Sequence, residues 1–215
     1  MRFAVIGAGG IGAPLGASLA TAGHDVIFVA RGAHRGEMRA SGLRVEGDRG
    51  TTHVQPVQAT DDPGMTGPVD VVLSCVKLWD LESSAGRIRP MIGPDTVVIP
   101  LQNGVDASER LVPILGARHV LGGVAMVTGS IVGPGVVRQT GKHHSISFGE
   151  LDGQVSARSA GSRTPARPPG STRWCPTISR SRAGTSSSAW SRSRACALSR
   201  GNPSVRCGAI RISRR

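Results

Sequence analysis

The run "RFAVIGAGGIGAPLG" at the start of the chain constrains its fold more than any other stretch. The apolar segment Arg2 to Ile6 reads as a short buried strand ending at Gly7. Gly7-Ala8-Gly9-Gly10-Ile11-Gly12 then has the spacing G-x-G-x-x-G. Behind it Ile11, Leu15 and Leu19 recur every four residues, beside the small residues Ser18 and Ala22, and Gly23 stops the pattern as a helix cap. Strand, glycine loop and helix in that order form the phosphate-binding turn of a dinucleotide site. Gly7 would permit the turn, Gly9 would let the backbone approach a pyrophosphate, and Gly12 would let helix and strand pack closely. The helix N-terminus adds free N–H groups and a partial positive charge. A glycine run in a chain of 30 glycines is also compatible with a plain turn, so the flanking elements carry the argument.

Those elements continue. "HDVIFVA", "VDVVLSCV" (69–76) and "TVVIPL" (96–101) read as further buried strands, with a helix from Trp79 to Ile92 between the last two. Asp106 and Glu109 resemble a capping box that opens a helix through Leu115. Alternating strands and helices imply a Rossmann-type, doubly wound α/β sheet with right-handed crossovers. From about residue 120, "HVLGGVAMVTGSIV", "GVVRQTG" and "HHSISFGEL" read as successive strands, expected to form a later, mostly antiparallel part of the same sheet. After Gly153 the periodicity stops.

Three polar residues stand at strand ends. A site for NAD usually has Asp or Glu after the second strand, on the ribose hydroxyls; here "VIFVA" runs into Arg31. A guanidinium there suits the 2′-phosphate of NADP, although a solvated surface arginine is the bland alternative. Lys77 follows "VDVVLSCV" and Asn103 follows "TVVIPLQ". Each alone could be an ordinary loop residue. Together, at the carboxyl ends of two strands, they are candidates to face the nicotinamide and a substrate.

Charge divides the chain. Residues 1–155 hold all 14 acids and 13 of the 26 basic residues, whereas residues 156–215 hold 13 arginines with no lysine and no acid. The first part has a formal net charge of −1 and the second +13. The second part has five large aliphatic residues, Ile178, Leu198, Val205, Ile210 and Ile212, too few to offset the entropy of folding. The expected organisation is a nucleotide-binding domain over 1–155 and a disordered or poorly packed basic tail over 156–215. Cys75, Cys175, Cys196 and Cys207 have no metal-ligand spacing, so neither a metal site nor a disulfide framework is expected. With no signal peptide or membrane-spanning run, a cytoplasmic protein without a membrane partner is expected.

"VIGAGGIGAPLGASLATAGHDVIFVAR", "SCVKLWD", "LQNGV" and "GPGVVRQTG…ISFGE", in that order, resemble the N-terminal domain of the ketopantoate reductase (2-dehydropantoate 2-reductase) family over about residues 1–153. The resemblance implies reduction of 2-dehydropantoate, a small 2-keto acid, to pantoate with NADPH in pantothenate synthesis. It implies that Gly7, Ala8, Gly9, Gly10, Ile11 and Gly12 hold the pyrophosphate and Arg31 the 2′-phosphate. It places Lys77 along the cofactor and substrate crevice, and Asn103 against both nicotinamide and substrate. His143 and His144 match no family site and read as strand or turn residues.

The family continues into a helical domain carrying a general-acid lysine, for which residues 156–215 have no counterpart. Serine codons TCN and arginine codons CGN, read one register over, become codons for apolar and small residues. Codons permitted for residues 183–205 include a set that reads "WDKFVGLVAVAGVRALTRQPVG", which looks like the missing helix. The tail is therefore expected to be an out-of-frame remnant, leaving no identifiable catalytic residue and an impaired or inactive enzyme. Two other readings stay open. One is a reductase of the same superfamily acting on another 2-keto or 3-hydroxy acid. The other is a catalytically silent dinucleotide-binding protein whose tail engages nucleic acid through charge alone.

Overall fold

The computed structural model describes residues 1–159, apart from 49, 105 and 157. The elements run β1 (Arg2–Ile6), α1 (Gly12–Thr21), β2 (Asp25–Val29), α2 (Gly32–Ser41), β3 (Leu43–Gly47), β4 (Gly50–Val54) and β5 (Gln58–Thr60). They continue with β6 (Val69–Ser74), α3 (Leu81–Arg87), β7 (Ile92–Pro100), α4 (Ala107–Leu115), β8 (Gly122–Gly133) and β9 (Val136–Gly149).

Five strands form a parallel sheet in the order β5-β2-β1-β6-β7. The order reverses between β1 and β6, which opens a crevice at their carboxyl ends. β1 is central because both of its faces are apolar. Phe3 and Val5 join one core with Leu15, Leu19 and Phe28, while Ala4 and Ile6 join a second with Leu81, Ala85, Leu111 and Leu115. Each buried Leu or Phe contributes about 1.5–3 kcal/mol relative to exposure. α1 reaches the sheet closely: a Cβ on Gly16 would lie 2.3 Å from the Phe28 ring. Gly23, at φ +85°, follows the end of α1.

The later strands do not extend this sheet. With β3 and β4 they form a second one, ordered β4-β3-β9-β8, with β3 parallel to β9 and the other pairs antiparallel. Leu43, Val45, Val137, Ile146 and Phe148 bring its inner face into the core of Phe3 and Leu15. α1 therefore lies between the two sheets, with Gly12 through Leu19 all buried. A helix covered on both sides cannot show a single apolar stripe. The stretches "GVVRQTG" and "HHSISFGEL" belong to one strand, β9. Thr128 faces Thr140 and Val127 faces His144, so residues 141–143 form a bulge within it.

Two local expectations also change. The helix expected over 79–92 is reduced to α3, flanked by 3-10 turns at Leu78–Asp80 and Arg89–Met91. Pro90 has no N–H to donate to the carbonyl of Gly86, so the α-helical pattern cannot run through it and α3 ends early. Asp106 forms no capping bond, because its backbone (φ −97°, ψ −10°) is already helical and a capping residue needs an extended one. Its carboxylate instead lies 3.5 Å from Arg110, which also reaches Glu82 and ties α4 to α3. Past β9, Arg158 forms a two-pronged ion pair with the buried Glu150, with Nε to Oε1 at 2.7 Å. The expectation for the basic tail falls, from residue 160 onward, outside the described residues. No described helix is long and apolar enough to cross a membrane.

Candidate dinucleotide site

A crevice of about 930 Å³ opens where β1, β2, β6 and β7 end. Its floor is the glycine loop. Gly7 has φ +96°, which a side chain would strain, and its N–H donates to Val29 O at 3.0 Å, fixing the turn against β2. A Cβ on Gly12 would lie 2.1 Å from Gly7 O and 2.8 Å from Val5 Cγ1, so this position seats α1 on β1. Around Gly9 a Cβ would meet nothing within 4 Å. That open side is where a ligand's phosphates can approach the backbone. The first turn of α1 carries no acid to repel them. Gly7 through Ile11 line the crevice, while Gly12 acts through packing.

Arg31, Lys77 and Asn103 line the same crevice, and all three are exposed. The sheet order separates them: Arg31 follows β2 on one side of β1, and Lys77 and Asn103 follow β6 and β7 on the other. Among the described residues Arg31 makes no ion pair, whereas Arg35 engages Asp61 just beyond β5. Gln102 anchors the loop bearing Asn103: its Nε2 donates to Ser74 O at 3.0 Å and to Ser74 Oγ at 2.9 Å, tying the ends of β6 and β7. Cys75 stands partly accessible on the wall, and burial of its sulfur pushes the thiol up to about 12. A thiol held neutral in this way is a wall residue, not a nucleophile.

The opposite wall has no counterpart in the sequence reading. Met126, Thr128 and Gly129 of β8 line the crevice, as do His34 of α2 and Trp79. His143, expected to be an ordinary strand or turn residue, is presented to it by the β9 bulge. His144 turns away, its Nε2 3.0 Å from Ser18 Oγ and its Nδ1 3.1 Å from Gln139 Oε1. An interrupted register was the missing signal for His143, and it follows from pairing, not from local composition. Among the described residues no group of three or more His, Cys, Asp or Glu side chains could hold a metal ion.

The profile of the family described as ketopantoate reductase PanE/ApbA matches residues 3–153. The chain belongs to this family. Ketopantoate reductases are oxidoreductases that act on a small keto acid. The 2-dehydropantoate 2-reductase of Archaeoglobus fulgidus is 36% identical over 155 residues, which cover 72% of this chain and 49% of that protein. The uncharacterized oxidoreductase YkpB of Bacillus subtilis is 31% identical over 158 residues, covering 74% and 52%. The crystal structure of 2-dehydropantoate 2-reductase from Porphyromonas gingivalis superposes with a TM-score of 0.69 at 33% identity, covering 74% of this chain and 57% of that one. The ternary structure of D-mandelate dehydrogenase with NADH and anilino(oxo)acetate shares the fold at 23% identity and a TM-score of 0.67, covering 75% of this chain and 51% of that one. The chain spans about half the length of the curated relatives it matches.

Proposed function

We propose that this domain binds NADPH and is the cofactor half of an enzyme reducing 2-dehydropantoate to (R)-pantoate. The observation that carries the proposal is the open face of Gly9, in a crevice with Arg31 beyond β2 and Lys77 and Asn103 beyond β6 and β7. That spacing along the sheet suits a dinucleotide lying across the switch point, its adenosine toward Arg31 and its nicotinamide toward Asn103. Bound NADPH supplies the hydride for the keto carbon. Gly7 through Ile11 hold the pyrophosphate against the start of α1, which Gly12 seats on β1. Arg31 pairs with the 2′-phosphate through a planar fork of donors. Asn103 orients the nicotinamide and the keto acid, and Lys77 offers an ammonium to the acid's carboxylate or to the charge developing on its oxygen.

Reduction of a ketone also needs a proton for the new alkoxide. The family's general-acid lysine has no match in residues 156–215, which contain no lysine. We therefore propose a domain boundary near residue 155, a tail read out of frame, and slow or absent turnover by the chain as written. Loss of general-acid catalysis alone lowers a rate by about 10²–10⁴-fold. The test follows NADPH absorbance with 2-dehydropantoate for this chain and for one recoded into the alternative register after residue 155. The recoded chain is expected to turn over and this one to lag by at least that factor. Equal turnover by both would show that the N-terminal domain catalyses alone, with Lys77 the remaining proton donor.

A further inference from the structure

His34, in the first turn of α2, makes two hydrogen bonds that leave its helix. Its Nδ1 lies 3.1 Å from the N–H of Gly135, in the turn between β8 and β9 and 101 residues away in sequence. Its Nε2 lies 2.9 Å from the carbonyl oxygen of Ala8, in the glycine loop. A backbone N–H only donates and a carbonyl only accepts. The ring therefore carries its proton on Nε2 and a lone pair on Nδ1, the neutral tautomer.

Both anchors of this bridge are constrained. A Cβ on Gly135 would lie 2.8 Å from Glu37 Cγ and 3.3 Å from Gly42 O, so the turn is seated against α2. The Ala8 carbonyl shares a planar trans peptide with the Gly9 N–H, and in such a unit the two groups point opposite ways. Holding the carbonyl toward His34 thus aims the Gly9 N–H away from it. His34 lines the crevice with the loop it holds, and it belongs to neither hydrophobic core.

We propose that His34 is a positioning residue for the dinucleotide: it sets the orientation of the Ala8–Gly9 peptide and so presents the Gly9 N–H to the pyrophosphate. This inference rests on the reading of the crevice as an NADPH site. The bridge also couples the loop to the second sheet, so the turn after β8 acts on cofactor affinity without touching the cofactor.

The test uses the full chain with His34→Ala, His34→Asn and His34→Gln. Asn keeps an acceptor near the Nδ1 position but does not reach Ala8. Gln places an amide donor near the Nε2 position. NADPH binding is followed by the enhancement of its fluorescence. Adenosine 2′-monophosphate, which has no pyrophosphate, is titrated in parallel by NMR. Loss of one hydrogen bond to the loop predicts about tenfold weaker NADPH binding for Ala and Asn, with Gln restoring most of it. Binding of adenosine 2′-monophosphate should stay unchanged in all three. Wild-type NADPH affinity in the Ala and Asn variants, or equal proportional losses for both ligands, would overturn the role of His34 alone. Failure of the wild-type chain to bind NADPH would overturn the site reading and this inference together.

Discussion

Gly10 and Gly129 meet backbone to backbone: a Cβ on Gly10 would lie 1.8 Å from the Gly129 carbonyl oxygen, and one on Gly129 would lie 2.7 Å from the Gly10 carbonyl oxygen. The phosphate loop and the second sheet are thus in contact at a point where neither side has a flexible side chain to give way. Gly10→Ala and Gly129→Ala are each expected to lower stability by about 1–3 kcal/mol, the cost of overpacking. Chemical denaturation measures this. A neutral outcome for Gly10→Ala would show that β8 moves freely from the loop.

Gly9 and Gly12 separate binding from folding. Gly9→Ala adds a methyl group to open space, so stability should change by less than about 0.5 kcal/mol. NADPH affinity should fall, because the methyl group stands where the phosphates approach. Gly12→Ala drives a Cβ toward Gly7 O and Val5 and should cost about 1–3 kcal/mol of stability. Paired thermal-unfolding and NADPH titrations check both. Equal stability losses for the two variants would contradict the division of roles.

Hydrogen bonding from Arg158 holds the Glu150 carboxyl below its ordinary value of 4.5. A carboxylate whose folded pKa is depressed stabilises the fold above its unfolded pKa, and the contribution is lost as pH falls through the folded pKa. Wild type should therefore exceed Glu150→Gln in Tm above about pH 5, with the gap closing below about pH 4.5. Melting curves from pH 3 to 8 decide this. A gap independent of pH would contradict the ion-pair account.

With its thiol pushed up to about 12, Cys75 is almost wholly protonated near neutrality. At pH 8 about one molecule in 10⁴ carries the thiolate, so alkylation should be slow in the folded chain and fast after unfolding. Mass spectrometry of the Cys75 peptide after timed iodoacetamide treatment measures it. Rapid labelling of folded protein would show that the sulfur is more open than the crevice wall implies.

The parallel sheet was legible in the sequence because strands such as "FAVI" and "VVL" are buried on both faces and read as unbroken apolar runs. The glycine loop was legible for a similar reason: its spacing and flanking elements are local. The packing of Gly10 was not, since it fills a variable position of the motif and its constraint comes from Gly129 on another sheet. The pairing of β3 with β9 joins Arg44 to Val136, and no local period encodes so distant a partner. His143 was read as an ordinary strand or turn residue for the same reason, because a bulge formed by remote pairing brings it to the crevice, and the bond from Gly135 to His34 joins residues 101 apart. The place of Arg31, Lys77 and Asn103 along the crevice was recognisable because strand ends in a parallel sheet are predictable positions.

NADPH is proposed to bind in the crevice with Arg31 on its 2′-phosphate. The most direct measurement titrates NADPH and NADH separately into the wild-type chain and into Arg31→Ala, by calorimetry at fixed ionic strength. Wild type is expected to prefer NADPH, and Arg31→Ala to lose about 1–3 kcal/mol of NADPH binding, the range for a charge-assisted hydrogen bond, while NADH binding stays nearly unchanged. Equal losses for the two cofactors, or no saturable binding of either, would contradict the assignment of Arg31 to the 2′-phosphate of NADPH.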